Sequence, residues 1–160
     1  MDILIRDAVT EDMGAVLQLI VELAVFEKEP DAVEVTSEEL QEAGFGENPQ
    51  FRCFVAEVNE EVVGMALVYF RYSTWKGRTV HLEDLVVREK MRGKGVGKAL
   101  YRRVLEYANE EGVKRVNWVV LDWNKPAIEF YEKTGATILS NWWQVEMEEN
   151  ALKEFIEKKS

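Results

Sequence analysis

Two hydrophobic periods alternate along the chain, and their order predicts most of its elements. Ile3-Leu4-Ile5 is a short apolar run that reads as a strand. Apolar residues then recur at Val16, Leu17, Leu19, Ile20, Leu23 and Ala24, the spacing of one helical face. Thr10-Glu11-Asp12-Met13 offers that helix a cap with acids in its first turn. Phe26-Glu27-Lys28-Glu29-Pro30 ends it, because the residue before a proline resists helical dihedrals. Thr36-Ser37-Glu38-Glu39 starts a second, short helix that stops near Gly44-Phe45-Gly46. Phe51 to Val58 and Val62 to Tyr72 read as strands, and the tight link Asn59-Glu60-Glu61 predicts a hairpin. Past a turn over Ser73 to Arg78, Thr79 to Val87 predicts another strand. Val96, Ala99, Leu100, Val104, Leu105 and Ala108 form a helical stripe that Gly112 closes. Arg115 to Leu121 predicts a strand and Pro126 to Thr134 a helix ending at Gly135. Ala136 to Leu139 and Trp143 to Met147 predict two late strands, and Ala151 to Lys158 a terminal helix.

Hairpins mixed with crossovers predict an α/β fold, a mixed sheet of about seven strands flanked by helices. At 160 residues, with no repeat, low-complexity tract or linker, the expected organisation is one domain over residues 1–160. No apolar run reaches the roughly 18 residues of a membrane span, and the N-terminus lacks the pattern of a signal peptide. One cysteine, Cys53, and one histidine, His81, leave no internal disulfide and no Cys/His metal site. Cys53 sits in an apolar run and reads as a buried structural thiol. A cytoplasmic protein without metal is expected.

Charge narrows the partners. The net charge of −10 argues against nucleic acid, whose phosphates are gripped by Lys and Arg. Between Glu22 and Glu61 stand twelve acids and two bases, a surface suited to a cationic partner. The opposite holds from Arg88 to Arg103, where seven bases and one acid give a local charge of +6. At its centre lies the turn Gly93-Lys94-Gly95-Val96-Gly97, between an apolar strand and a helix. That helix start has no Ser, Thr, Asp or Asn cap, and its first turn is basic where the helix dipole favours acid. A bound polyanion would account for both features. A phosphate-binding Walker loop fails here, because three residues rather than four separate Gly93 from Gly97 and Ala99 follows Lys98. The dinucleotide fingerprint fails as well, because Lys98 stands where its third glycine belongs.

Arg-x-x-Gly-x-Gly, on Arg92, Gly95 and Gly97, resembles the coenzyme A loop of the GNAT superfamily of N-acetyltransferases. Asn124, Ala127, Phe130-Tyr131 and Gly135-Ala136 resemble the second signature of that superfamily. Tyr72 to Arg78, Leu82 to Leu85, Val120 to Asn124, Gly44 to Pro49, Val55 to Val58 and Ile20 to Glu27 narrow the resemblance to the diamine acetyltransferases, which include spermidine/spermine and thialysine enzymes. Ser73-Thr74 is similar to the thialysine branch. Two departures concern the acceptor. The family often has Tyr where Phe26 stands, and the segment Ser140 to Trp143 is shorter than usual.

The resemblance implies a GNAT fold, acetyl-CoA as cosubstrate, a small cationic amine as acceptor, and a homodimer. It implies that amides of Gly93, Lys94, Gly95, Val96, Gly97 and Lys98, with Arg92, hold the pyrophosphate. Backbone groups of Leu85, Val86 and Val87 would pair with the pantetheine arm, near which Asn124, Pro126 and Ala127 would also lie. Tyr131 would be the general acid for the departing thiolate and Glu83 the general base. Phe26, Glu27, Ser73, Thr74, Trp75, Glu83 and Asp84 would contact the amine. Adjacent strand residues point to opposite faces, so Glu83 and Asp84 share a face only if a bulge intervenes. His81 reads as structural. Two other readings remain open from the sequence, transfer to protein amino groups and a noncatalytic acyl-CoA sensor.

Overall fold

The computed structural model describes residues 1–158; Lys159 and Ser160 of the expected domain lie outside the described residues. These fall into two compact units, Met1–Val119 and a second beginning at Val120.

The first unit is built on a five-stranded sheet, β1 (Leu4–Asp7), β2 (Arg52–Val58), β3 (Glu61–Ser73), β4 (Gly77–Val87) and β5 (Val116–Asn117), in that spatial order. The first four strands pair antiparallel, and β5 joins β4 in parallel. The hairpin between β2 and β3 turns on Asn59 and Glu60, both in the left-handed region, as a two-residue turn of matching twist requires. Three helices cover the sheet. On one face α1 (Met13–Phe26) and α2 (Ser37–Phe45) bury Met13, Val16, Leu19 and Leu40 against Cys53, Val55, Met65, Leu67 and Val86. On the other, α3 (Val96–Glu110) buries Val96, Leu100 and Val104 against Phe54, Ala66, Val68, Val80 and Leu82. Gly64 makes that approach possible: a Cβ there would lie 2.9 Å from the Val86 carbonyl oxygen and 3.0 Å from Leu100.

Local signals set the helix ends. Thr36 caps α2 through its hydroxyl, which accepts from the Glu39 amide at 3.1 Å, while the Glu39 carboxylate accepts from the Thr36 amide at 2.9 Å. At the end of α3, Gly112 takes φ +67° and the Gly112 and Val113 amides return to Asn109 and Ala108. The cap expected at Thr10 is different. Thr10–Asp12 form a 3₁₀ turn, and the Asp12 carboxylate receives the Val9 amide at 2.8 Å and the Arg6 guanidinium at 2.7 and 3.0 Å. Arg6 thereby holds the Asp12 carboxyl below its ordinary range, against the opposing effect of burial.

The second unit contains α4 (Lys125–Lys133) and α5 (Glu149–Glu157). The two strands expected at Ala136–Leu139 and Trp143–Met147 do not form, so the described sheet has five strands rather than about seven. Their apolar alternation is real, but a strand needs a neighbour for its amides and carbonyls, and these segments have none among the described residues. Trp143 and Val145 accordingly remain 89% and 90% exposed. The strand expected over Arg115–Leu121 pairs only at Val116 and Asn117.

Candidate functional site

The glycine turn adopts the form that its sequence demands. Gly93 and Gly95 have φ of +74° and +88°, a region in which side chains are strained. Gly95 is the N-cap of α3, with no side chain bonded to the cap. The first amide turned inward is that of Ala99, which bonds the Gly95 carbonyl at 3.0 Å. Among the described residues no acceptor meets the amides of Val96, Gly97 or Lys98. Helix-start donors of this kind are able to hold an anion. Arg92 is anchored beside them, its Nε donating to the Val87 carbonyl at 3.2 Å and its guanidinium 5.1 Å from the Phe26 ring centroid. Phe26 thus packs under a cation. With Val21, Val25 and Arg88 this pair walls an open groove of about 790 Å³, whose lining does not include Glu83 or Asp84.

One edge of Leu85, Val86 and Val87 pairs with Ala66, Met65 and Gly64. On the other edge β5 meets β4 only at Val80 and His81, so these three residues have no second strand neighbour among the described residues. An extended ligand arm can pair there as an added strand does.

The carboxylates lie where β4 is irregular. Leu67 pairs with Asp84 and Val68 with Leu82, which leaves Glu83 as an extra residue without a partner. The bulge reverses the alternation. Val80 and Leu82 face α3 before it, and Leu85 and Val87 face α3 after it. Glu83 and Asp84 consequently both point to the α1 face. Glu83 accepts from the Tyr69 hydroxyl at 2.8 Å and lies 3.2 Å from His81 Nε2. Glu27, at the end of α1, completes the group, its carboxyl pushed up by desolvation. Asp84 is pushed up to about 6, first by burial and then by the charges of Glu83 and Glu27.

That shift makes a stability prediction. The folded pKa of Asp84 lies above the ordinary 3.8, so the folded state holds the proton more tightly. Stability therefore falls as pH rises from about 4 through 6, by roughly 3 kcal/mol at most. Asp84→Asn is expected to raise the Tm at pH 7.5 and to flatten this fall. Thermal unfolding across pH checks it, and identical curves for both proteins would refute it.

Other expected contacts stand apart. Ser73, Thr74 and Trp75 form the tip of the β3–β4 hairpin, where Trp75 is 79% exposed. The Ser73 hydroxyl is occupied in the turn, accepting from the Trp75 and Lys76 amides at 3.1 Å. Glu83 lies six steps along β4 from Gly77, roughly 20 Å at strand spacing. A short amine held at Glu83 does not reach Trp75 of the same chain. Cys53 is buried, with its thiol pushed up to about 12 by desolvation. Among the described residues no group of three or more His, Cys, Asp or Glu side chains could hold a metal ion. Nor is any described helix long and apolar enough to cross a membrane.

Residues 16–136 match the profile of the acetyltransferase (GNAT) family. The chain belongs to that family. Over 167 residues it is 40% identical to the thialysine N-epsilon-acetyltransferase of Sus scrofa, with 98% of each chain covered. It is 37% identical over 144 residues to the human spermidine/spermine N(1)-acetyltransferase-like protein 1, covering 86% of this chain and 21% of that one. An integron cassette protein of V. cholerae shares its fold, with a TM-score of 0.80, 21% identity and 99% of each chain covered. GNAT acetyltransferases use acetyl-CoA, and the bare α3 amides, the left-handed glycines and the open β4 edge are a donor set fit for its pyrophosphate and pantetheine.

The second GNAT signature lies at and within α4. Asn124 holds the N-cap position and Pro126 the first turn. The Asn124 side chain makes no capping bond, and its carbonyl accepts from the Ile128 amide at 3.1 Å. Its amide is thereby spared from the cap. Ala127 and Tyr131 are half-buried, and the Phe130 and Tyr131 ring centroids lie 5.6 Å apart. Thr134 fixes the end of α4 through its hydroxyl and amide, both donating to the Tyr131 carbonyl at 2.7 and 3.0 Å. Sequence reasoning missed Tyr69 and Arg71. Counting back from the Ser73–Gly77 hairpin end pairs Tyr69 with His81, which is the signal that could have found them.

Proposed function

We propose that the protein transfers the acetyl group of acetyl-CoA to a primary amine of a small cationic acceptor, a diamine, polyamine or thialysine-like molecule. The observation that carries this reading is the bulge, which gathers Glu83 and Asp84 on one face with Glu27 nearby. Asp84, whose proton affinity is raised by burial and by the charges of Glu83 and Glu27, is relieved by a cation. The names of the relatives in pig and human point the same way. We further propose that residues 1–160 act as one catalytic domain, since the family match spans both units, and that it works as a cytoplasmic homodimer.

Acetyl-CoA supplies the acetyl thioester. The amides of Gly93 to Lys98, with Arg92, hold its pyrophosphate. Leu85, Val86 and Val87 align the pantetheine arm, helped by Asn124, Pro126 and Ala127. Glu27 and Asp84 hold the acceptor's positive charge. An alkyl ammonium titrates near about 10.4, so it must give up a proton before it attacks. Glu83 takes that proton, and Tyr131 gives one to the departing sulfur. Attack is direct: Cys53, buried and protonated, offers no nucleophile.

Thiol release from acetyl-CoA, read with a chromogenic thiol reagent, tests the reading against spermidine, a short diamine, thialysine, lysine and a lysine-bearing peptide. Release with one or more of the small cationic amines, and little with the peptide, is expected. Release with the peptide alone would move the acceptor to protein amino groups, and none with any amine would refute catalysis.

A further inference from the structure

Glu83 is held by more than its strand. Tyr69 and His81 are cross-strand partners, with ring centroids 5.2 Å apart. The Tyr69 hydroxyl and His81 Nε2 both address one oxygen of Glu83, Oε2, at 2.8 and 3.2 Å. On the far side of the imidazole, Arg71 Nη1 lies 3.1 Å from Nδ1. A guanidinium can only donate, so in the neutral ring Nδ1 accepts and the proton sits on Nε2, the nitrogen that lies 3.2 Å from Glu83 Oε2. Asn117 Oδ1 on β5 also lies 3.2 Å from Nδ1; exchanging the O and N of that amide, which are alike in shape, puts its NH₂ there and satisfies the same nitrogen.

We infer that Tyr69 and His81 are positioning residues for acetyl transfer: they tie down Oε2 of Glu83 and leave Oε1 as the atom that takes the ammonium proton, with Arg71 fixing the imidazole tautomer. This rests on the reading of Glu83 as the base. His81 is buried and Tyr69 half-buried, while the Glu83 carboxylate between them and the acceptor is about half exposed. Burial and the Glu83 charge push the Tyr69 phenol up to about 12, so it stays a donor wherever an enzyme of this kind works. The charged and titratable groups around Glu83 are Tyr69 and Arg71 of β3, His81 and Asp84 of β4, and Glu27 after α1. A hydrogen bond donated to a carboxylate favours its charged form, the form a base must have.

The test compares Tyr69→Phe, His81→Leu and His81→Gln over the pH range of activity. Phe keeps the Tyr69 ring without its donor, and Gln keeps an N–H able to reach Glu83. Tyr69→Phe and His81→Leu are each expected to lower kcat roughly ten- to a hundredfold, the value of one hydrogen bond to a charged group. The KM for acetyl-CoA should stay constant, and the acidic limb of the kcat/KM profile should move to higher pH. His81→Gln should recover most of the loss. In a Glu83→Gln background, Tyr69→Phe should add nothing, because both act through one carboxylate. Additive losses, or normal kcat and an unshifted limb in Tyr69→Phe and His81→Leu while Glu83→Gln is inactive, would overturn the positioning role and leave the base standing. A normal profile in Glu83→Gln would remove the base, and the positioning role with it.

Discussion

Tyr131→Phe is expected to lower the turnover of acetyl transfer by roughly a hundred- to ten-thousandfold while acetyl-CoA still binds, the range of a lost general acid. A phenol is a neutral donor at physiological pH, able to meet charge developing on the departing sulfur. Phe keeps the ring beside Phe130, and the carbonyl that anchors Thr134 belongs to the backbone, so α4 should persist. Equilibrium dialysis for acetyl-CoA, with kcat from thiol release, separates the two effects. Unchanged turnover would remove Tyr131 as the acid, and loss of binding would recast it as part of the cofactor cleft.

The second large effect is expected at Gly95. Valine held there in the left-handed region costs about 1–3 kcal/mol, which the turn relieves by changing shape. The amides of Val96, Gly97 and Lys98 would turn with it. The KM for acetyl-CoA should rise roughly ten- to a hundredfold, since each 1.4 kcal/mol is about a factor of ten. Gly112→Val is the control, since Gly112 has φ of +67° at the opposite end of the same helix. It should lower the Tm comparably and leave that KM alone. Equal KM changes in both would mean that general destabilisation, not loop geometry, is being measured.

Much of this arrangement is legible in the sequence because it is encoded locally. The Thr36–Glu39 box, the Asn59-Glu60 turn, the Gly112 stop and the uncapped start of α3 need only a few neighbouring residues. The bulge is also written there, in the apolar pattern itself. Core positions run Val80, Leu82 and then Leu85, Val87, a slip from even to odd that only an extra residue absorbs. What the sequence hides depends on partners far along the chain. Thr10 looks like a cap, but Arg6 recruits Asp12 instead. Trp143, Val145 and Met147 alternate like a strand, yet alternation names a face and not the neighbour that would pair with it. Ser73 to Trp75 share family-like chemistry with Glu83, but a β-hairpin keeps its tip a strand's length from its middle. Tyr69 and Arg71 carry no motif, and only register brings them to His81 and Glu83.

The slip in β4 also makes the acidic face editable by length. Were Glu83 deleted, Asp84 would keep its pairing with Leu67, and Leu85, Val86 and Val87 would keep the faces they now occupy. The core would not need repacking, and only the tally of negative charges would drop by one. A single inserted or deleted residue can thus retune this strand between one carboxylate and two without disturbing what the sheet buries.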